Sequence, residues 1–384
     1  MRKVFIAGVS VSKVEEHWSQ SVDALVTKVV ADLTDVRLRK IDGIFVASAL
    51  AETLQNQGNL GAIVAEDLGL SGVPALRVEA GDASGAAALY TGYQSILSGI
   101  SDIVLVVGVE KMSDASPEEA MFLSSLSERY DYVGYQGVTE SSIAAMMYKV
   151  YLEKYELPQE MVAQFPVIMH ENAAKAPHAQ YQFKTTLENV LSSPVISPPL
   201  RRLETTAPAD GAAAVLLCSQ DFLPTIQHDQ IVEIAGCATS TDIVFPFDRE
   251  DPLKVSAASR AFEEALARAG VSRNEIKVLE IHDSYSILAN LILESIGYSE
   301  PGKSGLDAKN GMYSQGGKPV INTFGGLKAR GHPIGATGVY QAAEIYMQLT
   351  RLAGSCQVDG AQTGAMINLA GLGSAAYAFV MRGA

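Results

Sequence analysis

The stretch Ile321–Gln341, INTFGGLKARGHPIGATGVYQ, decides how this chain is read. An apolar strand end runs into Asn322 and the Gly325-Gly326 pair, and a charged loop carries Lys328 and Arg330. Gly331-His332-Pro333 follows, and a helix opens at Gly335-Ala336-Thr337-Gly338. Pro333 keeps the backbone before it extended. Gly331 and Gly335 let the main chain pass close to whatever His332 faces. A histidine fixed between two such constraints has an aimed imidazole, as a general base or an oxyanion donor requires. Taken alone, a Gly-His-Pro turn fits a structural histidine equally well, so the choice falls to the rest of the chain.

At 384 residues the chain exceeds a single core of ordinary size, which predicts two lobes. A formal charge of -14 argues against nucleic acid and against an anionic membrane surface, so any basic patch for an anionic ligand must be local. Cys218, Cys237 and Cys356 are odd in number and widely spaced, which predicts neither a disulfide framework nor a metal site. The first residues, MRKVFIAGVSVS, hold too short an apolar run for a leader and read as a buried strand. No apolar run approaches the roughly 20 residues of a membrane span. The expectation is a soluble, cytoplasmic protein.

Apolar runs predict strands at Val4–Gly8, Ile41–Ser48, Ala75–Ala80 and Asp102–Gly108, with helices over Val22–Leu33, Leu60–Leu68 and from Gly85 to Ser98 between them. Strands apolar on both faces, alternating with helices, predict a parallel sheet covered by helices. From Lys111 to about Leu203 the runs shorten and prolines multiply, which reads as a helical excursion over the sheet. The plan then repeats: strand Pro208–Cys218, strand Ile231–Gly236, helix Lys254–Ala269, strand Ile276–Ile281, helix Tyr285–Ile296, strand Val320–Thr323, helix Gly335–Leu352, and a hairpin of Ala365–Leu369 with Ala376–Met381. The segments RVEAGDASGAAALYTGYQSIL and VINTFGG…GHPIGATGVYQAAEIYMQL share an order of strand, glycine turn and helix, which suggests a duplicated βαβαβ unit.

The Ile321–Gln341 stretch resembles the GGxxAxGHPxGATG signature of the thiolase superfamily, archaeal and sterol-carrier-protein branches. The resemblance runs along the chain. Arg77-Val78-Glu79-Ala80 with Ala83-Ser84-Gly85 looks like the nucleophile turn, and Gly108-Val109-Glu110-Lys111-Met112 like the strand exit after it. Ala179-Gln180-Tyr181, Asp210-Gly211-Ala212-Ala213-Ala214, His282-Asp283-Ser284-Tyr285 and Asn368-Leu369-Ala370-Gly371-Leu372-Gly373 match further family motifs in order. It implies the thiolase fold, an α/β arrangement of duplicated βαβαβ halves in five α-β-α-β-α layers. The expected domains are 1–230, with the excursion at about 111–205, and 231–384.

Against that family pattern, Asp82 stands where the nucleophile turn carries cysteine, Ser284 replaces the cysteine of the HDCF motif, and the glycine hairpin has none. At a helix start Asp82 is expected to be ionised with a depressed pKa; a plain helix N-cap is the bland alternative. As a nucleophile it would form a mixed anhydride. As a base it suits enolate chemistry, with His282 and His332 as paired oxyanion imidazoles, Asn322 assisting, and Ser284 or Tyr285 returning a proton. Backbone donors around Ser84, Gly371 and Gly373 would contribute. Lys328 and Arg330 are read either as solvated loop charges or as contacts for CoA phosphates. His17, His170, His178 and His228 are assigned no role.

The implied function is an acyl-CoA enzyme that forms or breaks a carbon–carbon bond next to a CoA thioester without a cysteine nucleophile, aldolase-like. The alternatives are a silent acyl-CoA-binding subunit, an acetyl-CoA acetyltransferase, and an anhydride-forming acyltransferase. No cofactor or metal is expected beyond CoA as part of the substrate. The resemblance also implies a homodimer or tetramer and a small OB-fold, zinc-ribbon partner.

Overall fold

A computed structural model describes residues 2–33, 40–225 and 230–383, side chains of 121 and 225 excepted; His228 lies outside them. Ten strands form one mixed sheet: β1 (Val4–Val11), β2 (Gly43–Ala47), β3 (Ala75–Val78), β4 (Ile103–Glu110), β5 (Gly211–Ser219), β6 (Val232–Thr241), β7 (Val278–Glu280), β8 (Val320–Ile321), β9 (Thr363–Ala370) and β10 (Ala375–Gly383). Their order is β8-β7-β9-β10-β6-β1-β5-β4-β2-β3. Read from the middle outward, each half has the same plan. Two antiparallel steps (β1 to β5 to β4, β6 to β10 to β9) lead to three mutually parallel strands. The halves meet edge to edge where Phe5 pairs with Glu233 and Ile6 with Val232. The duplication read from two segments thus extends to the order and direction of all ten strands.

Six helices cover the sheet: α1 (Val22–Ala31), α2 (Leu60–Asp67), α3 (Ser84–Leu97), α4 (Ser256–Ala269), α5 (Ser286–Ser295) and α6 (Thr337–Leu349). Side chains alternate across a strand, and β4 shows what its unbroken apolar run is for. Ile103, Leu105, Val107 and Val109 face a core built with α1 and α2, whereas Val104 and Val106 face a core built with α3 and α6. The second half does the same. Val278 and Met366 point to α6, and Leu279 and Ile367 to a core that includes Phe262 of α4 and Leu288 of α5. Helices α3 and α6 are therefore flanked by both half-sheets, with α1 and α2 outside one half and α4 and α5 outside the other. These are the five layers expected.

The two central helices cross with their backbones almost touching. A Cβ on Gly338 would lie 2.3 Å from the Ala86 nitrogen, and one on Gly85 would lie 2.8 Å from the nitrogens of Gly338 and Val339. That contact brings the start of α3, just after Asp82, against the start of α6, just after His332. The excursion supplies helices Pro117–Ser124, Glu140–Tyr155, Gln164–Ala173 and Leu187–Ser192 and a two-stranded ribbon of Val195–Ser197 with Leu200–Arg201. A short helix at Ser304–Lys309 had no signal in the periodicity. No described helix is long and apolar enough to cross a membrane.

Candidate active site

A cavity of about 760 Å³ lies over the starts of α3 and α6, roofed by the excursion. Asp82, Glu140, Ser141, Ser284, Tyr285, Lys328 and His332 line its walls, and Trp18, Phe183, Ile196 and Arg202 contribute exposed surface at its rim.

His332 is aimed by the constraints its neighbours imply. Gly331 has φ +110°, and a Cβ there would meet Val14 Cγ1 at 2.4 Å. A Cβ on Gly335 would meet the Ala49 nitrogen and Glu110 Oε2 at 2.6 Å. Glu110, at the end of β4, is the anchor: its buried carboxylate accepts from the N–H groups of Ala49, Leu50 and Gly335 and from the Ser48 hydroxyl. From the other side, the Gln180 and Tyr181 N–H groups donate to the carbonyls of Arg330 and Ala329. The segment Gly326–Arg330 is a buried π turn, not the charged loop expected. Its first turn is held by Asp283, whose carboxylate accepts from the N–H groups of Leu327 and Lys328.

The Asp82 carboxylate does not cap the helix behind it, since Ala83 holds the N-cap position of α3 without a side-chain bond. Oδ2 accepts from the Gly371 N–H at 2.9 Å, while Oδ1 lies 3.8 Å from His332 Nε2. Burial pushes its pKa up to about 7, against the pull of the Gly371 N–H, with the carboxylates of Glu128 and Glu110 adding to the rise. The expected depression at a helix start is overturned, because a fully enclosed carboxylate loses more hydration than the helix terminus returns.

The hydrogen-bond partners assign different tautomers to the two imidazoles. The Thr337 hydroxyl donates to the Pro333 carbonyl, so its oxygen accepts from His332 Nδ1–H at 2.7 Å and leaves a lone pair on Nε2, facing Asp82. His282 Nδ1 accepts instead, from Asn368 Nδ2 at 3.0 Å and the Leu369 N–H at 3.4 Å, so Nε2 carries its proton. Burial holds both rings neutral, His282 at about 3 and His332 well below its ordinary value. The rings stand edge to face with centroids 5.4 Å apart. His282 Nε2 is a buried donor with no acceptor among the described residues. Asn322 Nδ2 is another, its Oδ1 being taken by the Ile281 N–H. The expected pair of oxyanion imidazoles is thus one donor, His282, and one acceptor, His332.

Ser284 Oγ is buried, faces the cavity and has no hydrogen-bond partner among the described residues. The Tyr285 hydroxyl lies 3.2 Å from Ser141 Oγ, and burial pushes its pKa well above the ordinary value. Glu140 escaped the reading of the sequence, where it is only the first helical residue after the Thr139 cap. Its carboxyl is 5 % exposed, faces the cavity, and is driven well above the usual range by burial and by the charges of Asp82 and Glu128. Among the described residues no cluster of three His, Cys, Asp or Glu side chains is placed to hold a metal ion.

Two family models match this chain, the thiolase N-terminal domain over residues 7–198 and the thiolase C-terminal domain-like model over residues 238–382. The chain belongs to the thiolase family. An acetyl-CoA acetyltransferase of Methanothermobacter thermautotrophicus is 37% identical over 98% of both chains. Sterol carrier protein 2 of Gallus gallus is 31% identical over 97% of this chain and 70% of its own length. Among solved structures, an Ltp2-ChsH2(DUF35) aldolase superposes with a TM-score of 0.85 at 18% identity, covering 99% of this chain and 98% of that one. Human mitochondrial 3-ketoacyl-CoA thiolase in complex with CoA gives 0.79 at 17% identity over 100% and 98%. This is a thiolase-like acyl-CoA enzyme.

Several residues read from the thiolase motifs sit differently from expectation. The Ser84 N–H donates to the Gly81 carbonyl and that of Gly373 to Ala370, so neither is a spare oxyanion donor; the Gly371 N–H is spent on Asp82. Arg330 is wholly enclosed, its Nε 3.1 Å from Glu344, which also receives His178 Nε2 at 2.9 Å. It cannot reach a CoA phosphate. Lys328 is buried too, but in the cavity wall. The three cysteines are buried and none lines the cavity; burial raises Cys218 to about 12 and Cys356 to about 11.

Proposed function

We propose that this protein makes or breaks a carbon–carbon bond next to a CoA thioester through an enolate, as an aldolase does, with Asp82 and His332 handling the proton and no covalent acyl-enzyme. The observation that carries the reading is the division of labour between Asp82 and His332 in the cavity wall and His282 buried behind them. A carboxyl group faces an imidazole lone pair across 3.8 Å, and His282 next to them keeps an unspent N–H. In the cleavage direction, the Asp82 carboxylate or His332 Nε2 takes the proton of a β-hydroxyl. The Cα–Cβ bond breaks, its electron pair passes to the thioester carbonyl, and a free aldehyde or ketone leaves. Donors such as His282 Nε2–H and Asn322 Nδ2–H suit the enolate oxygen. A neutral acid at the cavity wall, Glu140 or Ser284, returns a proton to Cα.

Attack by Asp82 on a thioester carbonyl is the weaker alternative. The Gly371 N–H that would stabilise the resulting oxyanion is already bound to Asp82 itself. The test is incubation with a panel of β-hydroxyacyl-CoA and β-ketoacyl-CoA esters, with products separated by liquid chromatography and the protein weighed by mass spectrometry. Cleavage of a β-hydroxyacyl-CoA to acyl-CoA and a carbonyl compound is expected, with no adduct and with loss of turnover in Asp82→Asn. Thiolysis of acetoacetyl-CoA would identify an acetyl-CoA acetyltransferase instead. Binding without turnover would leave a silent acyl-CoA-binding subunit.

A further inference from the structure

Four cationic side chains are buried among the described residues: Lys111, Arg249, Lys328 and Arg330. Three have a charged or hydrogen-bonding partner among the described residues, although Nε and Nη2 of Arg330 make no hydrogen bond. Lys111 Nζ is 2.7 Å from Asp114 and 3.0 Å from Ser113 Oγ, Arg249 donates to the carbonyls of Ile243, Val244 and Leu372, and Arg330 pairs with Glu344. Lys328 differs. Among the described residues it forms no ion pair, and its Nζ rests 5.5 Å over the face of the Tyr181 ring in the cavity wall. The charge that acts on it is that of Asp283, whose oxygens are engaged by backbone N–H groups of the π turn. The rim acids Glu16 and Glu118 are exposed, and Arg202 and His170 on the same wall offer no negative charge.

A buried cation without a counter-charge is strongly unfavourable, and proteins keep one where a ligand supplies the missing partner. Burial already draws this ammonium down to about 8. Its position gives the partner a location, since Lys328 shares the cavity wall with Asp82 and His332 and belongs to the same stretch as His332. The phosphates of CoA carry several charges and call for several donors. One enclosed ammonium beside an aromatic face matches one monoanion.

We infer that Lys328 receives a carboxylate borne on the acyl group, so that the substrates are CoA esters of carboxylated acyl chains. This rests on the proposal that an acyl-CoA occupies the cavity, and it is tested by binding, independently of turnover. Isothermal titration of the full-length protein with CoA, butyryl-CoA and glutaryl-CoA is compared for wild type, Lys328→Met and Lys328→Arg. Wild type should favour glutaryl-CoA over butyryl-CoA by about tenfold or more, as one charge-assisted contact gives. Lys328→Met should erase that preference while leaving CoA and butyryl-CoA unchanged, and Lys328→Arg should retain part of it. Equal affinity of wild type for the two esters would overturn the inference. So would a uniform loss in Lys328→Met for all three ligands with its thermal unfolding unchanged, because the anion would then be a phosphate. Should Lys328→Met unfold, the wild-type preference and its reduction in Lys328→Arg decide. Failure of every ester to bind would overturn both this inference and the acyl-CoA reading, whereas a preference without carbon–carbon cleavage would overturn the cleavage proposal alone.

Discussion

Asp82 Oδ1 and His332 Nε2 stand 3.8 Å apart, and each group is held from behind by a partner that fixes its role. The Gly371 N–H occupies the other carboxylate oxygen, and the Thr337 hydroxyl oxygen occupies the other ring nitrogen. What remains between them is one acidic proton and one lone pair, in a site that favours neutrality over charge.

That preference has a consequence for stability. The Asp82 carboxyl rises from 3.8 to about 7 on burial. Between those values the unfolded chain has released its proton while the folded protein keeps it, so stability falls as pH rises through this window and the loss is complete above about pH 7. A gap of about three units corresponds to at most about 4 kcal/mol. Asparagine reproduces the neutral acid without titrating. Asp82→Asn should therefore match wild type near pH 4 and become more stable by a few kcal/mol at pH 8. Urea unfolding across that range checks it; a difference that does not grow with pH rejects the assignment of a buried, raised carboxyl.

Asp82 also sets the pH profile of turnover. If ionised Asp82 is the base, kcat/KM should climb with pH and level off with an apparent pKa near 7, a macroscopic value because the Glu140 carboxyl titrates beside it. His332→Asn should lower kcat about 100-fold to 10,000-fold, the usual range for a lost general base, with the Kd for CoA ester little changed. A His332→Asn enzyme with normal kcat would remove His332 from the chemistry.

How much of this was readable from residues alone varies with how local the cause is. The apolar run within Asp102–Gly108 predicts a strand buried on both faces because each side chain's environment follows from strand alternation, and the strand is there, over Ile103–Glu110. His332 was legible because its aim comes from Gly331 and Pro333, its immediate neighbours. Lys328 and Arg330 were misread because their burial depends on distant residues. Glu344 and His178, which enclose Arg330, come from the last helix and from the excursion. Glu140 resembled any acidic first-turn residue, and only the folding of the excursion back over α3 turns it toward Asp82. The raised pKa of Asp82 has the same origin, since enclosure is a property of the roof and not of the helix that Asp82 precedes.

Glu110 should behave as a structural keystone. Replacing it with alanine strands the N–H groups of Ala49, Leu50 and Gly335, which have no other partner of comparable geometry. At roughly 1–3 kcal/mol per unsatisfied buried group, the loss is on the order of 3–9 kcal/mol. Thermal unfolding of Glu110→Ala should show it, with Glu110→Gln intermediate because one carbonyl oxygen can still accept. An unchanged Tm would mean that the His332 loop is positioned by other contacts.

The crossing of α3 and α6 makes a second structural prediction. A Cβ at Gly338 would sit 2.3 Å from the Ala86 nitrogen, and neither backbone can yield without moving the half-sheets on either side. Gly338→Ala should cost at least about 1–3 kcal/mol, as overpacking does, and should displace Asp82 relative to His332. Gly58→Ala, with open space around its Cβ and an ordinary φ, should stay within about 0.5 kcal/mol of wild type. Denaturant midpoints of the two variants, measured side by side, separate the crossing contact from a generic effect of replacing glycine.

The sharpest test of what Asp82 does is to give the site the nucleophile that its motif implies. Asp82→Cys removes the carboxylate from the Gly371 N–H and so frees that donor for a thioester oxygen. It also puts a thiol where Asp82 Oδ1 faces the His332 Nε2 lone pair, so the imidazole can take the thiol proton. With acetyl-CoA this variant should acquire one acetyl group, seen in the intact mass and lost with hydroxylamine, whereas wild type acquires none. Adding His332→Asn should abolish the adduct. Retro-aldol cleavage should disappear in Asp82→Cys, since a thiol consumed by acylation no longer serves as the base. If wild type itself carries the acetyl group, Asp82 is a nucleophile and the enolate mechanism without an acyl-enzyme is wrong. If neither protein is acylated although Asp82→Cys is folded and binds CoA, the helix start is not the reacting position.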